Sequence, residues 1–77
     1  MTGIALSEDL IKHRAKCDDI TKVVKLNLWG LEINNIEIIK RMPNLKVVSL
    51  TLNKVDTLEP FSYCPLIQEI YLRKNQI

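Results

Sequence analysis

Three short stretches of the chain alternate between apolar and polar residues, and they recur at a fixed interval. The stretches read VVKLNLWGLEI from Val23, LKVVSLTLNKV from Leu45 and IQEIYLRKNQI from Ile67. Alternation with a period of two residues is typical of a strand that buries one face and exposes the other. The pattern therefore predicts three short strands, each followed by a turn.

The interval from the first stretch to the second equals that from the second to the third, and the same columns stay apolar in each stretch. These columns hold Val23, Leu45 and Ile67, then Leu26, Val48 and Ile70, then Leu28, Leu50 and Leu72, and then Ile33, Val55 and Ile77. The pattern L-x-x-L-x-L-x-x-N-x-L is that of a leucine-rich repeat, whose units bury their apolar edges by stacking. The sequence therefore predicts an α/β fold, a leucine-rich-repeat solenoid of 22-residue repeats with a short parallel sheet on its concave face.

Asparagine occupies one column of this pattern, at Asn53 and Asn75. We expect their side-chain amides to form a structural ladder, bonding backbone groups that the turns would otherwise leave unpaired inside the stack. Leu31 holds the same column in the first stretch. A buried amide with no preceding repeat to bond costs roughly 1–3 kcal/mol, so Leu31 is interpreted as the mark of the first repeat.

A helix is predicted ahead of the repeats. Ser7 has the character of an N-cap with acidic residues after it, and helical spacing continues to about Cys17. The positions on this spacing are Leu10, Ile11, Arg14 and Ala15. Asp18 and Asp19 are interpreted as the end of the helix. We therefore predict one domain, with a helical cap over residues 1–22 that covers the first strand, and repeats over residues 23–77, two complete and a third truncated.

The repeat pattern stops at Ile77, halfway through the third unit. A solenoid that ended there would expose Ile70, Leu72, Ile77 and the edge of its last strand. We expect another chain or missing sequence to cover this edge, and a truncated product is the favoured interpretation.

Composition and charge narrow the possible functions. The net charge is +2 without a basic block, so no nucleic-acid footprint is predicted. The start, MTGIALSEDL, lacks the character of a signal peptide, and no apolar run approaches the roughly 18 residues of a membrane-spanning helix. Cys17, Cys64 and the lone His13 do not form a zinc-ligand pattern, and reduced intracellular thiols are expected, with Cys64 in the core. We expect no metal, no cofactor, no catalytic residue and no membrane insertion.

The candidate site is the concave face, because strand residues between the buried columns point away from the core. The predicted partner-binding residues are Trp29, Tyr71 and Arg73 as principal contacts, with Lys25, Asn27, Ser49, Thr51 and Glu69 around them. Aromatic and arginine side chains on a rigid sheet are typical of protein interfaces. Two structural interpretations stay open: Trp29 packing over the cap helix or Gly30, and a solvated stack of Tyr71 on Arg73.

Several of these residues also carry a family resemblance. The WG pair at Trp29 and Gly30, the TLEP run from Thr57, and YLR with Asn75 resemble the N-terminal repeat domain of the cilia- and flagella-associated leucine-rich-repeat proteins, and the likeness runs from about Leu10 onward. It implies a protein of the basal body and cilium that works with a NIMA-related kinase. It also implies a further repeat, a cap and a C-terminal helical oligomerisation segment beyond the present sequence.

The sequence thus predicts a non-enzymatic protein-interaction module of a cilium-associated protein, cytoplasmic and cytoskeletal in location. One alternative is a structural domain that carries an absent C-terminal assembly segment. Others are a nuclear regulator of protein phosphatase 1 or a spliceosomal protein with RNA-associated binding, because the same repeat class fits both more loosely.

Overall fold

The computed structural model describes residues 3–76. Its elements, in chain order, are strand β1 (Ile4–Ala5), helix α1 (Glu8–Ala15), strands β2 (Lys25–Asn27), β3 (Ile33–Asn35), β4 (Val47–Ser49) and β5 (Glu69–Tyr71), and 3-10 helices at Ile20–Lys22, Glu37–Arg41 and Glu59–Tyr63. The result is a small α/β unit with short parallel sheets and one α-helix.

The main sheet has three parallel strands in the order β2, β4, β5. Lys25 pairs with Val47, which pairs with Glu69, so each strand lies beside the equivalent residues of the next alternating stretch. Parallel neighbours need a crossover between them, and here the 3-10 helices Glu37–Arg41 and Glu59–Tyr63 supply the return segments and pack on each other. The three strands predicted from the alternating stretches are confirmed.

The turn after each main-sheet strand passes through the left-handed backbone region. Gly30, Leu52 and Lys74, at the same place after their strands, have φ angles of 69°, 61° and 63°. Glycine adopts this conformation without the steric cost that a side chain incurs. Gly30 is therefore the best-suited residue of the three for its turn.

The core lies between the main sheet and the return segments. Leu26, Leu28, Val48 and Leu50 are buried on the inner side of the sheet. Facing them are Ile36, Ile39, Met42, Phe61 and Cys64 from the return segments. Apolar side chains that pack at close to crystal density supply most of the stability of so small a unit.

Helix α1 begins where the sequence predicts and ends earlier. The Ser7 hydroxyl accepts the N–H of Leu10 at 3.2 Å, which satisfies one free donor of the first turn. The helix stops at Ala15 because Lys16 adopts a left-handed conformation with φ 55°. The interpretation of Asp18 and Asp19 as the helix end was wrong, since Asp19 instead caps the following 3-10 helix by accepting the N–H of Thr21 at 3.0 Å.

The packing of α1 matches its predicted position. Ile11 is fully buried, Leu10 and Ala15 pack against the core, and the helix lies against β2. Arg14, which the helical spacing placed with them, is exposed. Its long polar side chain is free to reach over the sheet surface.

The N-terminal segment contains a strand that the sequence analysis missed. Strand β1 pairs in parallel with β3, and the N–H groups of Ile4 and Leu6 donate to the carbonyls of Glu32 and Asn35 at 2.9 and 2.8 Å. The predicted cap region is therefore partly extended chain. The division at residues 22 and 23 stays a prediction, and Ile77 lies outside the described residues. Within residues 3–76, no helix is both long and apolar enough to cross a membrane.

Candidate functional site

The candidate site is built on the outer side of the main sheet. We define the sheet face as the outward residues of its strands, which are Lys25, Asn27, Val47, Ser49, Glu69 and Tyr71. Strand residues alternate between two sides, and those between them, Leu26, Val48 and Ile70, point to the core. Parallel strands lie about 4.8 Å apart, so the face is about 10 Å wide from β2 to β5.

A groove of about 380 Å³ crosses this face from α1 to β5. Its lining residues are Arg14, Ala15, Lys25, Leu26, Asn27, Val47, Ser49 and Tyr71. The structure therefore brings together four of the predicted contact residues, Lys25, Asn27, Ser49 and Tyr71. It adds Arg14 and Ala15 from the helix, which the sequence analysis placed only in the cap.

Tyr71 forms the far wall of the groove and is 50% exposed. Its hydroxyl donates to the Glu69 carboxylate, and this hydrogen bond raises the pKa of Tyr71 above its ordinary value. A bond to the neutral, protonated form favours that form. The phenol is thus held in place by Glu69, and a stack of Tyr71 on Arg73 is not needed to orient it.

The other predicted contacts lie beyond the strand ends. Trp29, Thr51 and Arg73 hold equivalent positions after β2, β4 and β5, and the backbone ladder continues between their segments. The N–H of Gly30 donates to the carbonyl of Thr51, and that of Leu52 to the carbonyl of Arg73, both at 2.9 Å. These three residues lie in one row beyond the strand ends and are not among the residues that line the groove.

Trp29 is displayed rather than packed, with 57% of its surface exposed. Its backbone N–H donates to the Asn27 side-chain oxygen at 3.1 Å, which fixes the turn that carries the indole. One predicted contact residue thus positions another.

The two column asparagines lie beneath the turns. Asn53 is buried, and its side-chain oxygen accepts the N–H groups of Leu31 and Ile33 at 3.1 and 2.9 Å. Its amide nitrogen donates to the carbonyls of Leu28 and Leu50 at 2.8 and 2.9 Å. The Asn53 amide therefore joins the turn of its own segment to the turn of the preceding segment.

Asn75 repeats this arrangement one segment further on. It accepts the N–H of Val55 at 2.9 Å and donates to the carbonyls of Leu50 and Leu72 at 2.8 and 3.0 Å.

The remaining chemistry-bearing residues lie away from the groove. Cys64 is buried, and burial raises the pKa of its thiol, which disfavours the reactive thiolate. Lys40 bridges Glu37 and Glu59 at 2.8 and 3.4 Å and lies 5.0 Å from the centre of the Tyr63 ring. Among the described residues, no group of three or more His, Cys, Asp and Glu side chains is arranged to hold a metal ion.

The residues that sequence reasoning missed are those whose position depends on the helix. Arg14 and Ala15 reach the groove because α1 packs beside β2. The only sequence signal was the helical spacing, which grouped Arg14 with the apolar residues of α1. It did not predict that Arg14 borders the sheet face. The sequence pattern also did not indicate that strands β2, β4 and β5 end before Trp29, Thr51 and Arg73.

Comparison with known proteins identifies relatives that are similar in sequence to this chain. The chain is 42% identical over 72 residues to the human cilia- and flagella-associated protein 410, which covers 94% of the chain and 28% of the relative. It is also 42% identical over 74 residues to an uncharacterized protein of Caenorhabditis elegans, covering 96% of the chain and 16% of that protein. The chain thus spans less than a third of the length of either relative.

A weaker likeness links the chain to leucine-rich repeats. It is 37% identical over 54 residues to the human leucine-rich repeat-containing G-protein coupled receptor 5, covering 68% of the chain and 6% of the receptor. No family model matches the chain. The comparisons relate it over nearly its whole length to a cilia- and flagella-associated protein, and over a shorter stretch to leucine-rich-repeat receptors.

Proposed function

We propose that this chain is a leucine-rich-repeat interaction module of a cilium-associated protein, and that it binds partner proteins through its sheet face. The similarity to cilia- and flagella-associated protein 410 over 94% of the chain carries the proposal. The sheet face would be the concave side of a short solenoid, and the module would have no catalytic activity of its own.

Three features support the repeat architecture. Strand partners are separated by one constant interval of sequence, the left-handed turns recur at the same spacing, and Asn53 and Asn75 make equivalent bonds beneath them. A repeat protein stacks such units so that each buries the edge of its neighbour. The fit to leucine-rich-repeat receptors over part of the chain agrees with this architecture.

The exposed side chains of the sheet face, and of the adjoining row of Trp29, Thr51 and Arg73, supply the features of a protein interface. Tyr71 and Trp29 are half-exposed aromatic residues on a backbone that hydrogen bonds hold in place, and Arg73 lies in the row of Trp29. Rigid aromatic groups give large contact area at low cost in conformational entropy. We assign Trp29, Tyr71 and Arg73 as principal contacts, with the other residues of the sheet face and Thr51 around them.

The location we propose is the cilium or flagellum, at its basal body. A NIMA-related kinase is the proposed partner class, on the strength of the family resemblance. A nuclear role is the alternative, and it predicts a nuclear signal for the tagged full-length protein.

The proposed binding face is tested by capture of partners from ciliated cells with the full-length protein. Tyr71→Ala should reduce the recovery of wild-type partners, including any NIMA-related kinase, by about fivefold, because interface tyrosines contribute more than 1 kcal/mol in many complexes. Tyr63→Ala is the matched control, since Tyr63 is 51% exposed but lies on a return segment.

Equal recovery with wild-type, Tyr71→Ala and Trp29→Ala proteins, all folded by circular dichroism, would exclude the sheet face as the binding surface. Loss with Tyr63→Ala alone would move the binding surface to the return segments.

A further inference from the structure

The groove on the sheet face has an uneven distribution of charge. Arg14 at the end of α1 and Lys25 at the start of β2 both line it, on the side next to the helix. No carboxylate is among its lining residues. Two cations at one end of a groove without a lining acid create a positive potential there.

These two cations belong to the seven of eleven Lys and Arg residues that form no ion pair within residues 3–76. Lys12, Lys40, Arg41 and Lys54 each lie within 4.0 Å of a carboxylate, whereas across residues 3–76 neither Arg14 nor Lys25 forms an ion pair. Their charges are therefore available to a ligand.

The nearest acid on the sheet face is already engaged. Glu69 accepts the hydroxyl of Tyr71 and does not line the groove. By the strand register Glu69 lies across Val47 from Lys25, two strands away, at a separation of about 10 Å. Glu69 thus shapes the far wall without neutralising Lys25 or Arg14.

The rest of the groove suits a polypeptide rather than a free ion. Ala15 and Val47 contribute apolar surface, and Ser49 and Asn27 offer a hydroxyl and an amide nitrogen. The span of about 10 Å between β2 and β5 accommodates an extended segment or one side of a helix. Apolar floor, hydrogen-bonding walls and a cationic end match a peptide that carries both apolar and acidic side chains.

We propose that the groove docks an acidic segment of a partner protein, with Arg14 and Lys25 pairing its carboxylates and Tyr71 packing against its apolar part. This inference rests on the proposed function, because it names the chemistry of the partner that the sheet face binds. The planar guanidinium of Arg14 can donate two hydrogen bonds to one carboxylate, and Lys25 carries its ammonium group on a flexible side chain.

The test uses a fluorescent dodecapeptide of alternating glutamate and leucine, its glutamine counterpart and a phosphoserine counterpart. Fluorescence anisotropy with the full-length protein near physiological salt gives the dissociation constants. The glutamate peptide should bind at least about tenfold more tightly than the glutamine peptide, because each close charge pair contributes a few-fold in affinity.

Matched charge variants locate the site. Arg14→Ala with Lys25→Ala should weaken binding of the glutamate peptide about tenfold. Lys22→Ala with Arg41→Ala removes the same two residue types outside the groove and should weaken it less than about twofold. All four residues are exposed, and thermal unfolding checks that both double variants stay folded.

Equal affinity for the glutamate and glutamine peptides would overturn the proposal, as would equal weakening by the two double variants. Binding of the phosphoserine peptide more than about tenfold tighter than the glutamate peptide would assign the groove to phosphorylated partners instead. If partner capture still depends on Tyr71 in either case, the sheet face is the binding surface and only the acidic character of the segment is wrong.

Discussion

Asn53 illustrates how one side chain holds a turn of this fold together. It is the one buried polar residue among those that the structure describes, and its amide satisfies two N–H groups and two carbonyls of adjoining segments. Buried backbone groups need partners, because water cannot reach them. Its stabilising role therefore lies in the backbone groups it satisfies more than in its own packing.

Asn53→Ala should lower the free energy of unfolding by about 3 kcal/mol, because it strands several buried donors and acceptors at roughly 1–3 kcal/mol each and water compensates only part of the loss. Urea unfolding followed by circular dichroism measures the change. Asn75→Ala is the comparison variant and should cost less, since Asn75 is only half-buried. A loss below about 1 kcal/mol for Asn53→Ala would contradict this account of the turn.

At the scale of elements, α1 shows where local sequence decides structure. Ser7, Glu8 and Asp9 specify the start of the helix through a side-chain cap and acids in its first turn. The end is decided differently, by Lys16 in a left-handed conformation that no residue preference announces. The start of the helix was therefore predictable and its end was not.

Ser7→Ala should lower the free energy of unfolding by about 1 kcal/mol, because the N–H of Leu10 loses its capping partner. The same urea measurement serves here. Ser62→Ala, at an exposed position in the 3-10 helix Glu59–Tyr63, should change stability by less than about 0.5 kcal/mol. Equal losses for the two serines would show that the cap contributes nothing specific.

The strands also show how far sequence reasoning reaches. The main sheet was predictable because apolar residues alternate over each stretch and recur in the same columns. Strand β1 was not, because two residues, Ile4 and Ala5, are too few to show a period, and their pairing with β3 spans a distance in sequence that local patterns do not report. Short elements made by distant backbone pairing escape a periodicity argument.

In the candidate site too, some residues were predictable from local sequence patterns and others depended on how the elements pack. The outward positions Lys25, Asn27, Ser49 and Tyr71 were predictable from strand alternation, and the structure brings them to one groove. Arg14 was not, because its place depends on how α1 packs against β2. Strand alternation thus predicts the sheet face, but not the helix side of the groove.

At the scale of the whole molecule, a single core joins α1, the sheets and the return segments. Cys64 lies within it, 2% exposed, whereas Cys17 lies at intermediate depth after α1. A thiol in a core becomes reactive only when the surrounding structure opens. The two cysteines therefore report on local and on global opening.

The Cys17 thiol should react rapidly with a disulfide-exchange reagent in native buffer, whereas the Cys64 thiol should react only as fast as the molecule unfolds. The raised pKa of Cys64 adds to its protection, because less thiolate is present at neutral pH. Absorbance kinetics measure both phases. Cys17→Ser should remove the fast phase, and equally fast reaction of both thiols would contradict a single closed core.

The proposed function depends on the surface that the whole fold presents. Local hydrogen bonds hold Trp29 and Tyr71 in place on that surface. If partners bound there bring the protein to the cilium, location should depend on that surface. The decisive measurement is the position of the tagged full-length protein in ciliated cells, for the wild type, for Trp29→Ala with Tyr71→Ala, and for Tyr63→Ala.

We predict signal at the base of the cilium for the wild type and for Tyr63→Ala, and loss of most of that signal for the double variant at equal protein level. Unchanged location of the double variant, or a nuclear signal for the wild type, would contradict it.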